Sequence, residues 1–197
     1  GFAVTGANEF DYFGASVSSA GDMNGDGFDD VIVGAPRAFS TDVRNPNNNY
    51  SQAGQSYVIF GGSSLVAGGL LSANTLNGSN GFLINGVDGN DYSGTSVSNA
   101  GDVNGDGFDD VLIGAQGAGP GPYDFNRIGQ VYLVFGSSAV GAGGTLNLKD
   151  LDGGTGVILN GIDDNDYAGT SVSTAGDVNG DGLDDFLIGA PGAYSNG

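Results

Sequence analysis

The chain has no cysteine and no histidine. The first absence excludes disulfides and thiolate metal sites. The second removes the commonest general base and the usual zinc ligand. Lysine and arginine together number 4 against 23 acidic residues, a formal charge of −19 over 197 residues. Such a balance argues against binding nucleic acid or anionic membrane surfaces. No apolar run approaches the roughly 20 residues of a membrane helix, and no basic segment followed by an apolar one opens the chain. Proline is scarce, at 5 residues, and although glycine reaches 40 it shows no G-X-Y period, so a collagen-like chain is excluded. Without histidine, cysteine or any nucleophile–base pair, the chain is not expected to be an enzyme.

One element recurs. The pattern Asp-x-Asn-Gly-Asp-Gly-x-Asp-Asp reads DMNGDGFDD at 22–30, DVNGDGFDD at 102–110 and DVNGDGLDD at 177–185, spaced by 80 and then 75 residues. The flanks repeat as well: DYFGASVSSAGD, DYSGTSVSNAGD and DYAGTSVSTAGD precede the loops, and VIVGAP, VLIGAQ and FLIGAP follow them. A unit of this length with short apolar segments needs neighbours to bury its hydrophobic face.

Each repeat reads as short strands. Residues 16–20, 96–100 and 171–175 are small and alternating, whereas 31–35, 111–115 and 186–190 are apolar throughout, as strands buried on both faces are. A third strand is predicted at 54–61 and 129–136, and a fourth at 81–86 and 156–161; residues 1–6 match that fourth strand. No helical period is present. Four-stranded antiparallel sheets repeated radially make a β-propeller. The expected fold is therefore all-β: the last strand of a preceding blade at 1–6, blade 1 at 12–86, blade 2 at 92–161, and the first two strands of blade 3 at 167–197. That is a partial propeller with fewer than three blades, to be completed by blades in the same or neighbouring chains.

The acidic loops point to a hard cation. Oxygens of Asp22, Asn24, Asp26 and Asp30, at positions 1, 3, 5 and 9, can converge with the backbone carbonyl of Phe28 at position 7. Gly27, at position 6, permits the positive φ that such a turn needs. The same roles fall to Asp102, Asn104, Asp106, the Phe108 carbonyl and Asp110, and to Asp177, Asn179, Asp181, the Leu183 carbonyl and Asp185. Three Ca²⁺ sites are expected. Mg²⁺ fits less well because it keeps its waters and demands a smaller octahedron. An EF-hand would place its last acidic ligand at position 12, which here is Val33, Ile113 and Ile188, residues of the apolar strands.

Taken together, the chain resembles the FG-GAP repeats of the integrin α-subunit β-propeller and of bacterial surface proteins. The family's Phe-Gly stands as Phe13-Gly14, with Ser93-Gly94 and Ala168-Gly169 departing from it. Its Gly-Ala-Pro stands as Gly34-Ala35-Pro36 and Gly189-Ala190-Pro191, with Gln116 in place of proline in the middle copy. The resemblance implies calcium loops between strands one and two on one face, and ligand binding by the loops of the other face. It also implies a calcium-stabilised adhesion or self-assembly module, extracellular or at a cell surface, which the acidic, cysteine-free composition suits to a bacterial protein. The alternatives are a carbohydrate-binding propeller and a non-catalytic appendage of a secreted enzyme.

Two further features stand out. Residues 37–53 contain Phe39, Arg44, Asn47, Asn48, Asn49 and Tyr50; residues 116–128 contain Pro120, Pro122, Tyr123, Phe125 and Arg127. Aromatics with arginine on scaffold loops suit a recognition face for a protein or glycan. An acidic residue also precedes each first strand, as Asp11, Asp91 and Asp166, each followed by tyrosine. A position shared by every repeat reads as a structural turn.

Overall fold

The computed structural model describes residues 1–39, 52–62, 65, 69–119 and 126–194. Arg44, Asn47, Asn48, Asn49, Tyr50, Pro120, Pro122, Tyr123 and Phe125 lie outside the described residues.

The described residues form an all-β partial propeller. After β1 (Ala3–Thr5) come β2 (Ser16–Gly21), β3 (Asp30–Ala35), β4 (Gln55–Ile59), β5 (Leu70–Ser72) and β6 (Gly81–Asn85). The second unit supplies β7 (Ser96–Gly101), β8 (Asp110–Ala115), β9 (Gln130–Val134), β10 (Thr145–Asn147) and β11 (Gly156–Asn160), and the third supplies β12 (Ser171–Gly176) and β13 (Asp185–Gly189). Strands β2, β3, β4 and β6 pair antiparallel in that order, as do β7, β8, β9 and β11; β12 pairs with β13.

The sequence reading lacked β5 and β10. Each is three residues long, runs into a 3₁₀ turn (Ala73–Thr75 and Leu148–Asp150), and pairs parallel with another strand. Strand β10 of the second unit pairs with β6 of the first, Leu146 opposite Ile84, and β5 pairs with β1 in the same way, Leu71 opposite Val4. The sheet of the first unit thus carries a fifth strand borrowed from the second.

Alternation along the strands divides the core between neighbours. In β3, Ile32 joins Val58, Phe82 and Ile84 in packing against Val111, Ile113, Tyr132 and Val134 of the second unit. Val33, Tyr57 and Ile59 face the other way, against Val4 and Phe13, with the Phe13 and Tyr57 rings 5.3 Å apart edge to face. In β8, Leu112 packs with Val131 and Leu133 against Val172 and Phe186 of the third unit. Each large side chain so buried contributes roughly 1.5–3 kcal/mol. Leu187, the third unit's counterpart of Ile32 and Leu112, is 63% exposed where those two are fully buried.

Between the first two strands of every unit the register slips, at Ser19/Gly21, Asn99/Gly101 and Thr174/Gly176. This bulge lies immediately before each acidic loop. Its glycine at positive φ (65° at Gly21) strengthens the local twist and directs the chain out of the sheet.

Candidate metal centre

The three loops fold alike. Asp22 turns its carboxylate back over its own loop: Oδ1 accepts the N–H groups of Gly25 and Asp26 at 2.8 and 3.0 Å, and Oδ2 accepts that of Gly27 at 2.8 Å. Asn24 Oδ1 accepts the Asp26 N–H, and Asp26 Oδ1 accepts the Phe28 N–H. Asp102, Asn104 and Asp106 make the same set to Gly105, Asp106, Gly107 and Phe108. Asp177, Asn179 and Asp181 make it again. These side chains stabilise the turn by Asx-type bonding.

The position-9 residues lie deeper. Asp30 and Asp110 are buried at the start of their strands, while the loops above them are exposed. Asp30 Oδ2 accepts the Met23 N–H at 3.1 Å and Oδ1 accepts the Gly61 N–H at 2.8 Å. Asp110 does the same with Val103 and Gly136, and Asp185 Oδ2 accepts the Val178 N–H. The position-9 carboxylate therefore ties the start of the loop to the end of the third strand. Nothing in the spacing of the acidic residues marked Gly61 or Gly136 as its partners.

Burial pushes the Asp30 carboxyl up to about 6; the Gly61 and Met23 N–H groups oppose this, and the charges of Asp26 and Asp22 add to it. Burial pushes Asp110 up to about 7 in the same surroundings. Among the described residues no lysine or arginine pairs with any of these carboxylates; the ion pair there is Lys149 with Asp150. Nor do three acidic side chains close into a cluster tight enough to hold an ion among the described residues. What each loop does bring into one turn is carboxylates and an amide oxygen, with no lysine or arginine paired to them among the described residues. That chemistry fits a hard divalent cation.

Neighbouring loops touch. Asp109, at position 8 of the second loop, accepts the Asp22 N–H on Oδ2 at 2.8 Å, and its own N–H donates to the Asp22 carbonyl at 3.3 Å. Asp184 bonds Asp102 in the same two ways, at 3.1 and 3.4 Å. The Phe108 ring lies over Gly25, where a Cβ would stand 2.5 Å from it, and Leu183 covers Gly105. Position 8 had no role in the sequence reading. Its recurrence in all three copies was the available signal.

The other motifs meet across unit boundaries. The N–H groups of Gly14, Gly94 and Gly169 donate to the carbonyls of Gly34, Gly114 and Gly189 within their own units. The Gly94 carbonyl of the second unit also presses on Gly34 of the first, and the Gly169 carbonyl presses on Gly114.

Asp11, Asp91 and Asp166 are buried, each between two residues at positive φ: Phe10 and Tyr12, Asn90 and Tyr92, Asn165 and Tyr167. Asp11 accepts the N–H groups of Asn8 and Phe13; Asp91 accepts that of Asp88, and Asp166 that of Asp163. They hold a strained turn, as the repeat position suggested. Asp11→Ala is expected to cost about 1–3 kcal/mol by orphaning two backbone donors. A lowered urea midpoint, equal in calcium and in EGTA, is the expected reading. Of the recognition-loop residues that are described, Phe39 is exposed and the Arg127 carbonyl accepts the Tyr167 N–H; at the loop's start Arg37 lies 4.5 Å over the Tyr12 ring.

Comparison with known proteins agrees with the motifs. The FG-GAP repeat family matches residues 13–59, 93–134 and 168–197. Integrin alpha-PS2 of Drosophila melanogaster is 34% identical over 189 residues, which are 93% of this chain and 11% of that protein. Phosphatidylinositol-glycan-specific phospholipase D of Dictyostelium discoideum is 28% identical over 98% of this chain and 19% of its own length. Integrin alpha-5 of Xenopus laevis is 27% identical over 97% of this chain and 16% of its own. The chain thus spans less than a fifth of the length of these relatives. The three matched stretches cover more than half of the chain and contain the acidic loops and the paired glycines, so the chain belongs to the FG-GAP repeat family.

Proposed function

We propose that this chain is a calcium-stabilised, extracellular adhesion-type module that presents protein-binding loops and does not itself catalyse a reaction. Three loops of like geometry, each rich in oxygen donors and without a positive partner among the described residues, carry the calcium part of the reading. In it Ca²⁺ is held by Asp22, Asn24, Asp26, the Phe28 carbonyl and Asp30, by Asp102, Asn104, Asp106, the Phe108 carbonyl and Asp110, and by Asp177, Asn179, Asp181, the Leu183 carbonyl and Asp185. The ion supplies charge compensation to the buried position-9 carboxylates. The two integrin relatives support adhesion, and the loops at 37–53 and 116–128 are the proposed contact surface. Association with further blades, in the same or another chain, would cover Leu187 and its neighbours.

No helix among the described residues is long and apolar enough to cross a membrane. The bacterial origin inferred from composition remains part of this proposal. The phospholipase relative favours a second reading, a non-catalytic segment within a secreted enzyme; a lectin-like propeller is a third.

Beads coated with the chain test the adhesion reading. They are expected to adhere to protein-coated surfaces in millimolar calcium, to release in EGTA, and to leave a glycan array blank. A glycan signal without protein binding would replace adhesion by a lectin role. Phosphodiesterase activity of the purified chain on a glycosylphosphatidylinositol would overturn the non-enzymatic reading. Sedimentation of a monodisperse monomer would remove self-assembly.

A further inference from the structure

We propose that the position-8 aspartates, Asp109 and Asp184, are positioning residues through which calcium binding at neighbouring loops is mutually strengthened. The proposal rests on the calcium reading of the loops and extends it to their coupling.

The geometry carries the argument. Asp109 lies between the Phe108 carbonyl and Asp110, both in the donor set of its own loop. Its side chain and backbone grip the N–H and carbonyl of Asp22, the first residue of the preceding loop's donor set, at 2.8 and 3.3 Å. An ion at the second loop that fixes positions 7 and 9 therefore fixes position 8, and position 8 fixes Asp22. Asp184 grips Asp102 in the same two ways, so the second and third loops are linked as the first and second are. Space for the grip is specific: a Cβ at Gly21 would stand 2.2 Å from Asp109 Oδ2, and one at Gly101 would stand 2.1 Å from Asp184 Oδ2. Phe108 over Gly25 and Leu183 over Gly105 add an apolar lid to the same junction. Asp177 has no such acceptor on its N–H among the described residues, and Asp29, the first copy of position 8, is exposed. A ligand whose backbone is already held loses less freedom when the ion binds, which raises affinity.

Calcium titration followed by the backbone amide resonances of Gly27, Gly107 and Gly182 reads the three loops separately. In the unaltered chain the Gly182 midpoint is expected at the highest calcium. Asp109→Ala is expected to raise the Gly27 midpoint about tenfold, the factor from losing part of a hydrogen bond to a charged group, and, because coupling is reciprocal, to raise the Gly107 midpoint too, with the smallest change at Gly182. Asp109→Asn, which keeps an acceptor oxygen, is expected to recover most of that loss. Should Asp109→Ala fail to fold, Asp184→Ala in the more exposed third unit moves the effect to Gly107 and Gly182. If the unaltered chain titrates and neither alanine variant shifts the preceding loop, the coupling is overturned and the calcium reading stands. If none of the three resonances of the unaltered chain responds to calcium, both fall.

Discussion

Removing calcium is expected to lower the melting temperature by about 15–30 °C. A cation that binds the folded chain alone stabilises it by about 2.7 kcal/mol per site at a hundredfold excess over Kd. Three sites then supply about 8 kcal/mol, and each kcal/mol moves the midpoint of a domain this size by roughly 2–4 °C. For Kd near 10⁻⁴ M, typical of extracellular modules, about 10 mM calcium reaches that excess. The buried carboxylates give the effect its size. Asp30 and Asp110 are held out of water close to other acidic side chains of their own loops, with no lysine or arginine paired to them among the described residues. Differential scanning calorimetry in calcium and in EGTA makes the comparison, with magnesium as the intermediate case. A midpoint that does not move would sink the calcium reading and leave the loops as self-bonded turns.

Gly114→Ala is the second large effect, and its cause is steric. A Cβ there would lie 2.1 Å from the Gly169 carbonyl oxygen of the third unit and 2.3 Å from Ser96 Oγ. Gly114 lacks the positive φ of the loop glycines, so the backbone itself accepts alanine. The cost is that of forcing two units apart, about 1–3 kcal/mol for overpacking and at the upper end because the obstacle is backbone. A fall in melting temperature of about 5–10 °C follows. Gly189 supplies the internal control. It holds the same motif position, yet its Cβ would meet Ser171 Oγ at 2.2 Å and no carbonyl of a following unit, and a hydroxyl can rotate away. Gly189→Ala should therefore be much milder. Equal losses in the two variants would show that the glycine serves its own unit and not the junction.

These two sites also show what the sequence could and could not disclose. The acidic loops and the long strands were legible because each carries its cause locally: an Asx-bonded turn in nine residues, or a run of alternating or continuous apolar side chains. The repeat made Gly34 and Gly114 conspicuous, but the neighbour that excludes a side chain from each, Gly94 or Gly169, belongs to the next unit, some 55–60 residues onward. Strands β5 and β10 escaped because three residues such as Thr145-Leu146-Asn147 are too few to show a period, and they are strands only because β1 and β6 offer an edge. Asp109 and Asp184 escaped for a related reason: an aspartate beside a candidate ligand reads as one more solvated acid until its partner across the junction is known. The tyrosines after Asp11, Asp91 and Asp166 were read as turn residues, and the strained φ at Tyr12, Tyr92 and Tyr167 is the form that turn takes.

The strand that the second unit lends to the first has a mechanical consequence. Thr145, Leu146 and Asn147 run alongside Leu83, Ile84 and Asn85, and the Asn85 side-chain amide donates to Asn147 at 3.1 Å. Neighbouring units are therefore stitched along their outer rim by backbone rungs as well as by the greasy contact nearer the axis. A load that prises the rim open must rupture that ladder before the apolar faces can part. Slippage between units is blocked as well, because sliding by one residue would turn Leu146 away from its buried side. Under tension the junction is expected to behave as a riveted seam rather than a hinge.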